Sequence, residues 1–207
     1  MSDVLSEWLL KKLEEGLPGR VARQCMEPPL CYGRQRGPPR ADSRHAGVLV
    51  LLEFNGLEIE IVLARRSALL DHHPGQIGFP GGGVHSGESW VDAALREARE
   101  ETGMQCSPED VIGQLTPLFV HRSNHLMFPV LAVGTGQQEL TEDGTEMVEV
   151  FRVTTKQLEA GRGEFSDIAY AWKSIPIPAF SVPQGKIWGA TAMVMEEVLW
   201  ILTDFTA

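Results

Sequence analysis

Apolar residues near the start of the chain recur with the spacing of a helix. A helix over residues 3–15 would place its apolar side chains on or near one face: Val4, Leu5, Trp8, Leu9 and Leu13. Residues 17–45 are rich in Pro, Gly and Arg, which predicts an irregular lead-in without a core of its own. We therefore expect residues 1–45 to form a helix and lead-in, and residues 46–207 to form one domain.

Blocks of apolar residues predict strands further along the chain. Residues 46–54 and 57–64 read as two strands joined by a tight turn at Asn55-Gly56. A helix should begin at Ser89, which forms a capping-box pattern with Asp92, and end at Gly103. Further strands are predicted at 116–121, 127–134 and 147–153, and further helices at 154–161 and 191–205. Strands interleaved with helices, including one hairpin, indicate an α/β protein with a mixed sheet and helices on both faces.

Composition narrows the classes of function. A chain of 207 residues with 43% hydrophobic content can build one sizeable core. Its net charge of −10 argues against a nucleic-acid surface but leaves a nucleotide substrate open, since a bound cation can supply positive charge locally. No apolar run reaches the length of a membrane span, and the first residues lack a signal peptide's layout, so we expect a cytoplasmic protein. Three cysteines in no CxxC pattern (Cys25, Cys31 and Cys106) predict reduced thiols.

Three carboxylates share one face of the helix predicted before Gly103. Glu97, Glu100 and Glu101 stand at i, i+3 and i+4, where like charges repel. A divalent cation with carboxylate ligands would offset that repulsion. Glu97 and Glu101 are then the natural pair of ligands, and Glu100 is a further ligand or the group that orients a water. Taken alone, the run could equally be a solvated helix face.

The spacing around these carboxylates resembles the Nudix box. Its fixed positions are all present: Gly82, Glu88, Arg96, Glu97, Glu100, Glu101 and Gly103. The resemblance implies an α/β/α sandwich around a mixed sheet, with the box as a loop–helix–loop that holds Mg²⁺ or Mn²⁺. It also implies that the carbonyl of Gly81 completes the metal sphere, and that Arg96 pairs with Glu88. Catalytic roles then fall to Glu100, Glu101 and Arg96.

The residues before the box resemble the extra motif of the coenzyme A diphosphatase subgroup. Matching positions are Arg66, Ser67, Leu70, His73, Gly75, Gln76 and the run 79–82, with Ala64 where the subgroup has Thr. Residues 186–192 also resemble that subgroup's Trp-Gly-x-Thr segment. Arg65 and Arg66 end a strand beside the metal loop, where they could hold phosphates bidentately or be ordinary surface arginines. His73 and Gln76 are further substrate-binding candidates by this resemblance.

The resemblance implies hydrolysis of the diphosphate of coenzyme A (CoA) or its acyl derivatives. The products would be 3′,5′-ADP and 4′-phosphopantetheine or its acyl form. The alternatives are another nucleoside diphosphate derivative, such as ADP-ribose or a dinucleoside polyphosphate, and a non-catalytic Nudix module that binds such a metabolite. A homodimer is a family-level expectation.

Two smaller sequence features complete the expectations. The 3′-phosphate of CoA would be read by arginines around the loop, with Arg40 or Arg44 as further candidates beside Arg65 and Arg66. His121 and His125 are four residues apart but lack the Glu of an HExxH helix, so no zinc site is expected there.

Overall fold

Two long strands joined by a tight turn form the centre of the molecule. The computed structural model describes residues 1–29, 38–165 and 176–206. In it β1 spans Arg44–Asn55 and β2 spans Glu58–Arg66, paired antiparallel. Gly56 turns the chain between them with φ 62°, a conformation that glycine adopts without steric cost. The predicted hairpin is confirmed, with β1 starting two residues earlier than expected.

The hairpin belongs to a larger mixed sheet. Its other members are β3 (Ile77–Gly78), β4 (Gly81–Gly83), β5 (Val111–Gln114), β6 (Leu118–Val120), β7 (His125–Val133) and β8 (Met147–Thr154). The main path runs β3-β2-β1-β7-β5, while β4 pairs with β1, β6 with β7 and β8 with β2. β1 and β7 are parallel over Arg44–Leu52 and the other pairs are antiparallel. The sheet is therefore mixed, as the hairpin among interleaved helices predicts.

Helices cover both faces of this sheet. They are α1 (Ser2–Glu15), α2 (Arg20–Arg23), α3 (Trp90–Thr102), α4 (Thr155–Gly161) and α5 (Ala190–Leu202), with 3-10 turns at Gln24–Met26 and Pro108–Asp110. Alternate side chains of β1 point to opposite faces of the sheet. Leu49 and Leu51 pack with α3 on one face, whereas Val48 and Val50 share a core with α1 and α5 on the other. The predicted α/β/α class is confirmed. No helix in the described parts is long and apolar enough to cross a bilayer.

A second, smaller sheet follows α4 and was not predicted. It consists of β9 (Arg162–Phe165), β10 (Ile177–Val182) and β11 (Gly185–Trp188), all antiparallel in the order β11-β10-β9. These strands are short, and Pro178 and Gly185 interrupt their pattern, so periodicity gives them little signal. The sheet matters because β11 delivers Trp188 and the first turn of α5 to the site described below.

The N-terminal segment packs into the main core. Leu5 and Leu9 of α1 are fully buried in the cluster that contains α5, and the Trp8 Nε1 donates to the carbonyl of Ile201 at 3.0 Å. Residues 17–45, predicted to be irregular, contain α2, whose Arg23 is 2% exposed. Its guanidinium pairs with Glu197 of α5, a contact separated by 174 positions that no local pattern reveals.

Two of the three predicted thiols can be placed in the structure. Cys25 and Cys106 are free, and Cys106 is buried. Burial raises the pKa of Cys106 to about 12, so it is a protonated, structural thiol. Cys31 lies outside the described residues.

Candidate active site

Helix α3 begins and ends where its sequence requires. The Ser89 hydroxyl accepts from the backbone N–H of Asp92, while the Asp92 carboxylate accepts from the Ser89 backbone N–H. Gly103 closes the helix in the left-handed conformation, with its N–H bound to the carbonyl of Arg99. Ala94, Leu95 and Ala98 are buried against the sheet. This face is fixed by packing, so the glutamates are directed towards the preceding loop.

Glycines let the strand β4 lie between β1 and α3. A Cβ at Gly81 would stand 2.3 Å from the carbonyl oxygen of Gly47, and one at Gly82 would stand 2.5 Å from the Glu97 carboxylate. Gly47 in turn touches α3, since its Cβ would be 2.0 Å from the carbonyl oxygen of Trp90. Only backbone fits here, which brings the carboxylate of Glu97 against the loop.

Glu101 is the buried carboxylate of the site. The residue is 4% exposed, its Oε2 accepts from the Gly81 N–H at 2.8 Å, and its Oε1 lies 3.7 Å from Nη1 of Arg66. Burial raises the pKa of Glu101 to about 8, although the Gly81 N–H and Arg66 oppose that shift. A neighbouring cation would offset the free energy that this burial costs.

Arg96 braces the loop against the helix. Its Nε and Nη2 form a fork on Glu88 at 2.8 and 3.1 Å, and Nη2 also donates to the carbonyl of Gly83 at 3.1 Å. The hydrogen bond from Arg96 holds the pKa of Glu88 at about 2. Nη1 donates to Glu97 at 2.8 Å and to Glu100 at 3.3 Å. The structure thus has the Arg96–Glu88 pair where the resemblance places it, and Arg96 also orients two of the proposed metal-binding carboxylates.

The donor set fits a hard divalent cation in its chemistry. Glu97, Glu100, Glu101 and the Gly81 carbonyl offer oxygen ligands alone, which suits Mg²⁺ or Mn²⁺. Within the described residues, no three Asp, Glu, His or Cys side chains already converge as a cation site. The geometry gives a reason: Arg96 takes up oxygens of Glu97 and Glu100, and Glu101 is turned to the Gly81 N–H. Coordination would need these side chains to change rotamer.

A cavity of about 420 Å³ opens beside β4. Gly81–Gly83, Arg66, His73 and Gln76 line it, and His73 Nδ1 contacts Gln76 Oε1 at 3.0 Å. Burial lowers the pKa of His73 below its ordinary value, which disfavours the charged imidazolium. The structure thus gathers three of the four substrate-binding candidates beside the glycine strand.

Arg65, the fourth candidate, is engaged elsewhere. Its Nε donates to Glu149 at 2.8 Å and its Nη2 to the carbonyl of Gln184, and it does not line the cavity. Alternation along β2 explains the separation, because consecutive residues point to opposite faces of a strand. Of the two lead-in arginines, Arg44 lines the cavity and Arg40 does not.

Comparison with known proteins agrees with this geometry. The protein-family model described as NUDIX domain matches residues 43–173 of the chain. The chain belongs to the Nudix family. The Nudix relatives include the mouse protein named mitochondrial coenzyme A diphosphatase NUDT8, 31% identical over 198 residues, with 92% of this chain and 91% of the relative covered. Another is the Nudix hydrolase NudL of Photorhabdus laumondii, 29% identical over 159 residues, covering 76% of this chain and 84% of the relative.

Among solved structures, a MutT/nudix family protein from Enterococcus faecalis shares the Nudix fold. Its TM-score is 0.59 at 20% identity, covering 84% of this chain and 68% of that chain. As a Nudix hydrolase, the chain acts on the diphosphate bonds of nucleoside diphosphate derivatives, the chemistry for which divalent metal ions are generally used in this family.

Sequence reasoning missed part of the Nudix cavity. Arg122 and His125, at the β6–β7 turn, line it together with Trp188 and Thr191. In the sequence, His125 stands out only as the partner of His121 in a spacing that does not make a zinc site. Arg122 lies in a turn and belongs to no motif, so its sequence position does not predict a binding role. Their proximity to the box follows from the parallel pairing of β1 with β7, which joins segments about 80 positions apart.

Proposed function

We propose that this Nudix hydrolase cleaves the diphosphate bond of CoA or its acyl derivatives, giving 3′,5′-ADP and 4′-phosphopantetheine or its acyl form. One observation carries the proposal. Both segments that resemble the CoA diphosphatase subgroup line the same cavity, although more than 100 positions separate them: Arg66, His73 and Gln76 from the first, Trp188 and Thr191 from the second. The relatives named CoA diphosphatase in mouse and human support the same substrate.

The proposed mechanism assigns each group a task. Glu97, Glu101 and the Gly81 carbonyl would hold Mg²⁺ or Mn²⁺, with Glu100 as a further ligand, and the cation would neutralise charge on the diphosphate and acidify a water. Arg66 donates to a phosphate oxygen from the cavity side. Water attacks one phosphorus, the bond to the bridging oxygen breaks, and either Glu100 or Glu101 accepts the water's proton. Arg96 orients these carboxylates.

Turnover of a substrate panel tests the proposal. CoA, acetyl-CoA, dephospho-CoA, ADP-ribose and diadenosine tetraphosphate are compared with Mg²⁺ and with Mn²⁺, at fixed low salt. We expect kcat/KM for CoA to exceed those for dephospho-CoA and ADP-ribose by at least about tenfold, or 1.4 kcal/mol. Equal or faster turnover of ADP-ribose would overturn the CoA assignment. Binding of CoA without turnover, under any metal, would identify a non-catalytic module.

Carboxylate variants test the metal roles. Glu97→Gln and Glu101→Gln should each lose most of the turnover and keep the fold, because an amide cannot neutralise a dication. Glu139→Gln removes one exposed carboxylate that is not part of the box and serves as the control. Wild-type activity of either box variant at low-millimolar Mg²⁺ would contradict the ligand assignment.

The two adjacent arginines allow a matched test of the cavity. Arg66→Ala should lower kcat/KM for CoA roughly ten- to a hundredfold, as expected for one charge-assisted hydrogen bond. Metal affinity should remain within about twofold. Arg65→Ala removes an equal charge one residue away but faces Glu149, so its kcat/KM should remain close to wild type. Equal losses of kcat/KM in both variants would show that positive charge near the end of β2 matters, and that a direct contact between Arg66 and the substrate does not.

Two expectations about the whole protein remain predictions. The cytoplasmic location is tested by imaging the full-length protein in its own cells, a relevant test because the NUDT8 relatives are named mitochondrial. The homodimer is tested by size-exclusion chromatography with light scattering.

A further inference from the structure

The cavity beside β4 is lined by three arginines in an acidic protein. The chain carries a net charge of −10, yet among the described residues no Asp or Glu lines this cavity. In the part of the chain that the structure describes, its ionisable lining is three arginines and four histidines: Arg44, Arg66, Arg122, His72, His73, His121 and His125. Charge of one sign focused in a cleft favours a ligand of the opposite sign. Arg44 and Arg122 are cations beyond Arg66, the one that the proposed function assigns to the diphosphate.

Arg44 and Arg122 are the two cavity arginines without an acidic partner among the residues that the structure describes. Arg66 lies 3.7 Å from Glu101 and 3.5 Å from Glu146. By contrast, neither Arg44 nor Arg122 makes an ion pair or a side-chain hydrogen bond with another described residue, and both are exposed at the cavity. Guanidinium groups that line a cleft without a carboxylate can bind an incoming anion with no existing ion pair to break.

Both arginines stand on a backbone that is held in place. The Arg44 N–H donates to the carbonyl of Asn124 at 3.1 Å, and the Ser43 hydroxyl contacts Oδ1 of Asn124 at 3.0 Å. Arg44 is also opposite His125 in the parallel pairing of β1 with β7. The β6–β7 turn that carries Arg122 is therefore tied to the first residues of β1, which limits the reorganisation needed for binding.

The position of Arg44 suits a group close to the diphosphate. Arg44, Ala46 and Val48 line the cavity from alternate positions of β1, and Ala46 is the pairing partner of Gly83. Two strand residues span roughly 7 Å, so Arg44 begins about that far along the strand from the glycine edge. In CoA, a single ribose separates the 5′-diphosphate from the 3′-phosphate.

We propose that Arg44 and Arg122 form a second anion subsite that binds the phosphate monoester on the ribose of the substrate. The inference rests on the proposed function in taking that substrate to be CoA-like. It goes further by assigning the discrimination to two residues outside the Nudix box and outside the subgroup motif. The 3′-phosphate would then be read by the β1–β7 side of the cavity, and the diphosphate by Arg66 and β4.

Kinetic comparison of two substrates that differ only in the 3′-phosphate tests the subsite. Arg44→Gln and Arg122→Gln should each lower kcat/KM for CoA about tenfold, the loss expected for one charge-assisted hydrogen bond. Their kcat/KM for dephospho-CoA should remain within about twofold of wild type. Arg20→Gln, which removes an exposed arginine of α2 away from the cavity, should change neither value. Equal losses on both substrates, or no loss on either, would overturn the subsite.

Calorimetric binding of the nucleotide product separates the subsite from the choice of substrate. Wild type should bind 3′,5′-ADP about tenfold more tightly than 5′-AMP, and the Arg44→Gln and Arg122→Gln variants should lose that preference. If the preference is present and sensitive to the arginines while CoA is not hydrolysed, the subsite stands and the proposed function fails. If CoA is hydrolysed while wild type and variants bind both nucleotides alike, the proposed function stands and the subsite is refuted.

Discussion

The buried pair between Arg23 and Glu197 predicts that the N-terminal segment is an integral part of the fold. Arg23 is 2% exposed and Glu197 is fully buried. Arg23 also donates to the carbonyls of Thr116 and Pro117, while Glu197 accepts from the Gly19 N–H at 3.1 Å and from the Thr116 hydroxyl at 2.6 Å. Removal of either charge leaves the other buried without its counter-charge.

The magnitude follows from that burial. Loss of one partner of a buried ion pair costs roughly 3–5 kcal/mol, which lowers the melting temperature of a chain of this size by roughly 6–20 °C. We expect Arg23→Met and Glu197→Gln each to show such a loss in urea unfolding. The double variant buries no charge and retains an amide oxygen for the Gly19 N–H. It should therefore be at least about 2 kcal/mol more stable than the sum of the single losses implies.

A neighbouring arginine supplies the control for this cycle. Arg20→Met changes an exposed residue of the same short helix and should alter the free energy of unfolding by less than about 0.5 kcal/mol. The urea m-value should stay constant, so that midpoints report stability alone. Single variants within about 1 kcal/mol of wild type, with additive effects, would refute the reasoning and show that α2 contributes little to the fold.

Further predictions concern the glycines and the brace around the box. Gly82→Ala should lower kcat/KM about a hundredfold with little change in melting temperature, because the added Cβ would displace the flexible Glu97 side chain. Gly83→Ala is the control and should stay active, because a Cβ at Gly83 meets nothing within 4 Å. Gly47→Ala meets the backbone of α3 and should destabilise by about 3 kcal/mol or more in urea unfolding. The hydrogen bond from Arg96 lowers the pKa of Glu88 in the folded protein from 4.5 to about 2. Glu88→Gln should therefore be less stable than wild type above pH 4.5, and the difference in stability should shrink as the pH falls towards 2. A gap in urea midpoint that is equal at pH 7 and pH 3 would contradict that brace.

Local chemistry explains why the box helix could be predicted to within a residue. Ser89, Asp92 and Gly103 define the two ends of α3 by hydrogen bonds within four positions, and these bonds are all present. The tight turn at Asn55-Gly56 is equally local. Where a few neighbouring residues supply both partners of each interaction, the sequence is enough.

Elements stabilised by distant partners escaped prediction. β4 consists of three glycines, so it has no side-chain pattern and is a strand only because β1 pairs with it. Likewise, α2 has four residues and depends on Glu197 of α5. The cavity lining was predicted only in part for the same reason. Arg66, His73 and Gln76 lie within one sequence motif, whereas Arg122 is brought next to them only by the pairing of β1 with β7.

The contacts between α1, α2 and α5 have a consequence for synthesis on the ribosome. Trp8 and Arg23 are made well before their partners Ile201 and Glu197, which lie 193 and 174 positions further along the chain. At roughly 5–20 residues per second, synthesis of the 174 to 193 residues that separate the partners takes on the order of 10–40 s. Throughout that interval Leu5 and Leu9 have no completed core to enter. A nascent chain stalled before residue 190 should therefore expose the apolar face of α1. The amount of chaperone that co-purifies with such stalled chains should depend on those two leucines.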